Sequence, residues 1–265
     1  MDRQRGLEPS VVRRSKGSFD YPIQRAKHGG YRIRSGEMIR VCMNSDFFVE
    51  EADAWRQEAW RIMRERSDVK FFLLTRRIQR VSECLPPDWG DGWENIFLNA
   101  SCENQARAEH SIPLLLALPF THKGIMTAPL IGPIDLEPWL SSRKIEQVIA
   151  GGENYGGARA CYFDWIKAIR AACEKHEVTF CFIETGTHFV KDGRSYRLPS
   201  KRLQSEMAWK SGMSYTGRPM RFRLHDRLGL ELVEEELHRA RFGKRCLRCG
   251  SRPICNGADA NGDCT

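Results

Sequence analysis

The sequence has no long hydrophobic run: none approaches the roughly 18 to 20 apolar residues that a membrane-spanning helix requires. The opening segment MDRQRGLEPSVVRRSKG lacks the apolar centre of a secretory leader. Both absences lead us to expect a cytoplasmic protein with no membrane association. Several catalytic signatures are also missing. There is no H-E-x-x-H among the seven histidines, no Walker-type phosphate loop, no G-x-S-x-G elbow and no strand-linked G-x-G-x-x-G. These gaps argue against nucleotide hydrolysis, an esterase and a nicotinamide-dependent dehydrogenase.

The 265 residues suit one large domain with a small appendage. A net charge of +8 is unevenly spread: residues 1–40 hold ten Lys/Arg against four Asp/Glu, and residues 191–227 hold ten against three. Residues 41–190 between them are acidic by five. Such basic flanks can meet phosphates, nucleic acid included, and can equally be a solvated surface.

Between residues 38 and 186 one phrase repeats: a short apolar run, a small or polar cluster, then a stretch with helical spacing. The runs are MIRVCM, VKFFLL, NIFLNA, HKGIM, QVIA and TFCFI. EEADAWRQEAWRIMRER, with Ala54, Ala59 and Ile62 among polar residues, and FDWIKAIRAACEKHE read as amphipathic helices. A short helix is expected after VKFFLL, ending near Leu85 where PPDWGDG interrupts. Nearly continuous apolar strands alternating with helices predict an α/β fold, a parallel sheet of about six strands in an incomplete (β/α) barrel or doubly wound sheet. The tryptophans at 55, 60, 139 and 165 are expected to pack. The domain plan is a basic segment 1–37, a barrel core 38–190, a basic irregular segment 191–227, and 228–265 as a short helix closed by Gly243 followed by a cysteine-rich tail.

The polar clusters fall at the C-terminal ends of the strands, where loops of such folds converge on one cavity. The ordered set SDFFVEEAD, LLTRR, SCENQ, APLIGPIDL and IAGGENYGGAR resembles a phage-associated family of unknown function whose members look like radical S-adenosylmethionine enzymes, over about residues 5 to 200. Members of that family open with a three-cysteine loop ending in Cys-x-x-Cys-Tyr, which looks like the ligand set of a [4Fe–4S] cluster. This sequence begins where the segment downstream of that loop would stand. Either its start lies upstream, or the gene is truncated, or the cluster has been abandoned. It also has Ala128 where relatives carry Glu, and Glu184 where they often carry Gln.

The resemblance implies a rim that binds S-adenosylmethionine. Gly151, Gly152 and Glu153 resemble the motif that holds the cofactor's amine, and Arg159 could clamp a carboxylate. Ser45 and Asp46, Thr75 and Arg76, and Ser101, Glu103 and Asn104 join them, with Glu184 as an acceptor. Carboxylates at 46, 103, 153 and 184 opposite Arg76 and Arg159 would suit a zwitterion. The same residues read as helix N-caps for the 45–46 and 101–104 clusters, a tight turn for Gly151–Glu153, and an ordinary surface arginine for Arg159.

The tail RCLRCGSRPICNGADANGDCT places Cys246, Cys249, Cys255 and Cys264 close together. A Gly- and Asn-rich loop buries little apolar surface, so a metal would supply its ordering free energy; a disordered or oxidised tail is the alternative. Zinc and an iron–sulfur cluster both accept four thiolates. Two functions follow: a radical S-adenosylmethionine-like enzyme of unknown substrate, truncated or degenerate as written, or a non-catalytic protein that binds nucleic acid or a phage- or mobile-element-encoded partner through basic flanks and a zinc module.

Overall fold

The computed structural model describes residues 11–15, 17–27, 29–42 and 45–238. The four-cysteine tail, Cys246 to Cys264, lies outside the described residues, as does the later part of the helix expected over 228–243. No helix among the described residues is long and apolar enough to cross a membrane.

The chain runs β1 (Met38–Arg40), α1 (Asp53–Glu65), β2 (Lys70–Thr75), β3 (Ile96–Ser101), α2 (Gln105–Ala117), β4 (His122–Thr127), α3 (Glu137–Leu140) and β5 (Gln147–Gly151). It continues through β6 (Cys161–Tyr162), α4 (Phe163–Lys175), β7 (Thr179–Glu184), β8 (His188–Lys191), β9 (Arg194–Arg197) and α5 (Lys201–Lys210). Six strands in the order β1-β2-β3-β4-β5-β7 form one curled, all-parallel half-barrel, with each strand in the position of an apolar run of the sequence. A second sheet, β6-β8-β9, stands beside it.

The two faces of the half-barrel divide by residue parity, as strand geometry requires. Phe71, Leu73, Ile96, Leu98, Ile125, Val148, Phe180 and Phe182 face outward into the core beneath the helices. Their neighbours Phe72, Phe97, Met126, Ile149 and Cys181 line the concave side. Met220 and Phe222, from the stretch after α5, pack onto that concave cluster and close its lower end. There the Phe222 ring lies 4.0 Å from the His122 ring, whose Nδ1 is 2.9 Å from the Glu146 carboxylate.

α1 buries Arg56, Trp60, Ile62 and Met63, so its inner face is set by Trp60; Ala54, expected on that face, is exposed. Between β2 and β3 the expected helix is replaced by two 3-10 turns, Ile78–Arg80 and Ser82–Cys84. The layer is filled by aromatic packing: Trp89 lies 5.2 Å from Trp60, 5.0 Å from Trp93 and 4.6 Å from Phe120. Each such pair contributes about 0.5–1.5 kcal/mol beyond its buried area.

Two expectations are corrected. Residues 191–227 are not irregular throughout, because β8, β9 and α5 occupy much of their first half. α5 was hidden because its buried side is Gln204 and Ala208, which leaves almost no apolar periodicity; Ser200 caps it by accepting from Leu203 N–H. The described part of the 228–243 stretch is not helical either. The Asp226 carboxylate accepts from the N–H groups of Leu228 and Leu230, Gly229 sits at φ +81°, and His225 bridges Glu231 across the resulting turn. Turn chemistry overrides the apolar pattern here, and only a 3-10 turn, Glu234–Glu236, follows.

The N-terminal segment is held by one buried guanidinium. Arg66, with no exposed surface, donates to the carbonyls of Pro22 and Ile33 and to both oxygens of Asp68, beneath the Tyr31 ring at 3.9 Å. Arg66→Met should destabilise the fold by about 3–5 kcal/mol, because it strands the Asp68 charge and two carbonyls. Urea titration should show that loss, and limited proteolysis should show earlier cutting within residues 17–36.

Candidate functional site at the strand C-termini

Parallel strands deliver all six of their C-terminal ends to one edge, and consecutive rim loops there are bonded to one another. Asp46, after β1, accepts from Phe48 N–H at 2.9 Å and from three groups at the end of β2: Thr75 Oγ1 at 2.9 Å, Arg76 N–H at 3.0 Å and Arg77 Nη1 at 3.2 Å. Arg76 reaches Glu103, after β3, at 2.6 Å. The Glu103 carbonyl accepts from Ile131 N–H, the Gly151 carbonyl from Leu130 N–H, and the Glu184 carbonyl from Gly152 N–H. The rim is therefore one connected belt from β1 to β7.

Most of the belt's charges are used within it. Glu153 takes a bidentate fork from Arg159, at 2.8 Å from Nε and 2.6 Å from Nη2, and also accepts from Arg159 N–H. The Arg159 hydrogen bonds hold the Glu153 carboxyl well below its ordinary 4.5, at about 2. Of the four expected acids, Glu103 pairs with Arg76 and Glu153 with Arg159, whereas Asp46 pairs with Arg77 and Glu184 lies 3.8 Å from Lys201.

The glycines are explained by close backbone approach. A Cβ on Gly152 would lie 2.2 Å from the Thr185 carbonyl oxygen, and one on Gly151 would lie 3.1 Å from side-chain atoms of Glu184 and Ile183. The β5 and β7 loops can interlock only if residue 152 has no side chain. Asn104 is the N-cap of α2, its Oδ1 accepting from Arg107 N–H at 3.0 Å. Ser45 and Asp46 cap no helix, since α1 begins at Asp53; Asp46 instead ties the first rim loop to the second.

An open cleft of about 550 Å³ enters the rim above β1 to β4. Five of the expected ligand residues line it: Ser45, Asp46, Thr75, Arg76 and Ser101. Glu103, Asn104, Gly151, Gly152, Glu153, Arg159 and Glu184 stand on the same rim but do not line this cleft. Sequence reasoning missed Arg40, Leu74 and Met126 as cleft residues. The face each shares with Phe72 follows from strand alternation and register, but the sequence does not say that this face is the concave, open one.

The thiols differ from the rim charges. Cys102, Cys161 and Cys181 are buried and pushed up to about 12 by desolvation. Among the described residues no three His, Cys, Asp or Glu side chains are grouped as metal ligands.

A family model described as "Protein of unknown function (DUF5131)" matches residues 5–229. No curated protein and no solved structure matches the chain.

The Glu153 ion pair has a defined pH signature. Its folded value is depressed, so its contribution is fully present above about pH 4.5 and is lost as pH falls toward about 2. Denaturant titrations should show Glu153→Gln less stable than the parent at neutral pH, with the gap closing across that interval. A constant gap would mean that the carboxylate charge is not what Arg159 holds.

Proposed function

Since the chain belongs to the family described as "Protein of unknown function (DUF5131)", whose name states no reaction, we propose from the rim itself that it is an S-adenosylmethionine-binding protein on a radical-enzyme type of half-barrel. The observation that carries the reading is the two-sided chemistry of the cleft. It is lined by the apolar side chains of Phe72, Leu74, Met126 and Ala128 and by the polar ones of Arg40, Ser45, Asp46, Thr75, Arg76, Arg77 and Ser101. An aromatic base and a methylthio centre suit the apolar side chains, and a carboxylate suits the arginines. The volume is within the range of small-molecule sites.

The described residues do not fit a [4Fe–4S] cluster: their buried cysteines are dispersed, protonated thiols, and the half-exposed rim offers only Cys42. We therefore derive no radical step. What the chain's own residues would do is bind and orient: Arg40 and the Arg76 N–H groups not donated to Glu103 take the carboxylate, the Ser45 and Ser101 hydroxyls take the ribose and amine, and the apolar lining excludes water from the sulfonium carbon. We assign Cys246, Cys249, Cys255 and Cys264 to zinc or an iron–sulfur cluster, on the four-thiolate spacing alone. Metal analysis of anaerobically purified protein should find iron or zinc that disappears in the Cys249→Ser/Cys255→Ser double variant; metal-free parent protein would end that assignment.

Calorimetric titration with S-adenosylmethionine tests the cleft. Arg40→Ala should weaken binding about tenfold or more, as loss of a charge-assisted bond does, and Leu74→Trp should abolish it by filling the cleft, with thermal melts confirming that both variants fold. No heat at millimolar ligand, or binding indifferent to both variants, would remove this reading.

A further inference from the structure

After α5 the chain returns beneath the half-barrel as a strap. At the β7 margin backbone bonds anchor it: Phe180 and Tyr215 exchange N–H and carbonyl groups at 2.8 Å, and Arg218 N–H donates to the Glu177 carbonyl at 2.7 Å. At the far side His225 N–H donates to the Ser67 carbonyl at 3.2 Å, and Ser67 Oγ donates to the His225 carbonyl at 3.0 Å. Between these anchors side chains hold it: Met220 and Phe222 pack on the concave cluster, and Arg223 reaches Glu94 at 3.0 Å.

The seat of Phe222 is a buried histidine between two acids. The His122 side chain is 3% exposed, and its ring lies 4.0 Å from the Phe222 ring with 33° between the planes. Its Nδ1 is 2.9 Å from the Glu146 carboxylate; its Nε2 is 3.8 Å from the Glu94 carboxylate and has no hydrogen-bond partner among the described residues. Charged groups face the two rings from the elements around them: Lys70 of β2, whose Nζ is 5.2 Å from the Phe222 centroid, Glu94 before β3, Glu146 before β5, and Arg223 of the strap. A neutral imidazole carries one N–H, and whichever nitrogen holds it, the other turns a lone pair toward a carboxylate. A proton taken from solvent removes that conflict, because an imidazolium offers an N–H on both sides and its charge attracts the face of an aromatic ring stacked on it. Lys70 and Arg223 oppose the added charge, Arg223 through a guanidinium already paired with Glu94, whereas the two carboxylates stand at the imidazole nitrogens.

We infer that residues 218–225 form a proton-operated latch: protonated His122 holds Phe222 and keeps the lower end of the half-barrel closed, and loss of the proton lets the strap lift there. Histidine changes charge between about pH 5 and 8, so the latch works near neutrality. The backbone anchors at either end stay in place, which makes the motion a local opening. Phe72 and Phe97, 2% and 0% exposed with the strap down, belong to the cluster on which Phe222 packs. Lifting the strap uncovers that cluster from below and gives the concave side a second entrance, opposite the rim. The inference does not depend on what the cleft binds.

Hydrogen exchange of the full chain tests it, followed by mass spectrometry on peptides spanning residues 217–225 and expressed as protection relative to the intrinsic rate at each pH. Protection of the strap should fall roughly three- to thirtyfold between about pH 5.5 and about pH 8, the factor that a cation–π contact supplies, and that of α4 should not follow it. His122→Gln, which keeps a donor for Glu146 but takes up no proton, should abolish the pH dependence. Glu146→Gln should shrink it by removing the carboxylate at Nδ1. Arg223→Gln, at a side chain 63% exposed, should lower protection at both pH values and leave the pH dependence in place. Thermal melts establish which variants fold. Equal strap protection at both pH values in the parent, a rise toward pH 8, or a parallel loss in α4 would overturn the proposal. So would an unchanged pH response in His122→Gln or, should that variant not fold, in Glu146→Gln.

Discussion

The constraint on which the rest depends is that strands running the same way must all finish at the same edge of their sheet. A parallel ladder leaves no choice about where β1 to β5 and β7 terminate, and so residues more than a hundred positions apart, such as Asp46 and Glu184, arrive on one rim. The helices and the Trp60 cluster keep the outer face dry; the inner face is left concave because the sheet curls, with Met220 and Phe222 reaching across it from below.

The rim then has to satisfy itself. Polar groups brought together at a strand edge are half-desolvated, and each needs a partner. Asp46 finds four donors, Glu103 one arginine and Glu153 another, while Gly152 lets two backbones touch. These contacts use up several of the side chains that looked most available for a ligand. Nearer β1 to β4 the rim holds an open recess lined by apolar, arginine and hydroxyl groups.

The sheet was legible in the sequence because its six strands are short, nearly unbroken apolar runs followed by small or polar clusters, a pattern that survives without neighbours. The rim residues were legible for the same reason. Their pairing was not: nothing in the string says that Arg159 folds back on Glu153 six positions away, or that Gly152 is demanded by Thr185. α5 was unreadable because Gln204 and Ala208 carry its buried side, and the turn at Asp226 defeated a helical reading of leucines that are in fact exposed. Arg40, Leu74 and Met126 needed the curl of the sheet, which periodicity does not encode, before they could be told from core.

The two long margins of the half-barrel are not equivalent. On the β7 side, Tyr215 exchanges both backbone hydrogen bonds with Phe180, so that margin is already stitched by the chain's own return. On the β1 side the strand is only three residues long, Met38–Arg40, and it stands at the end of the strand order. Addition of a neighbouring molecule's strand at the β7 margin is thereby hindered, and stacking of copies into an endless ribbon, which would need two receptive margins, is blocked from that end.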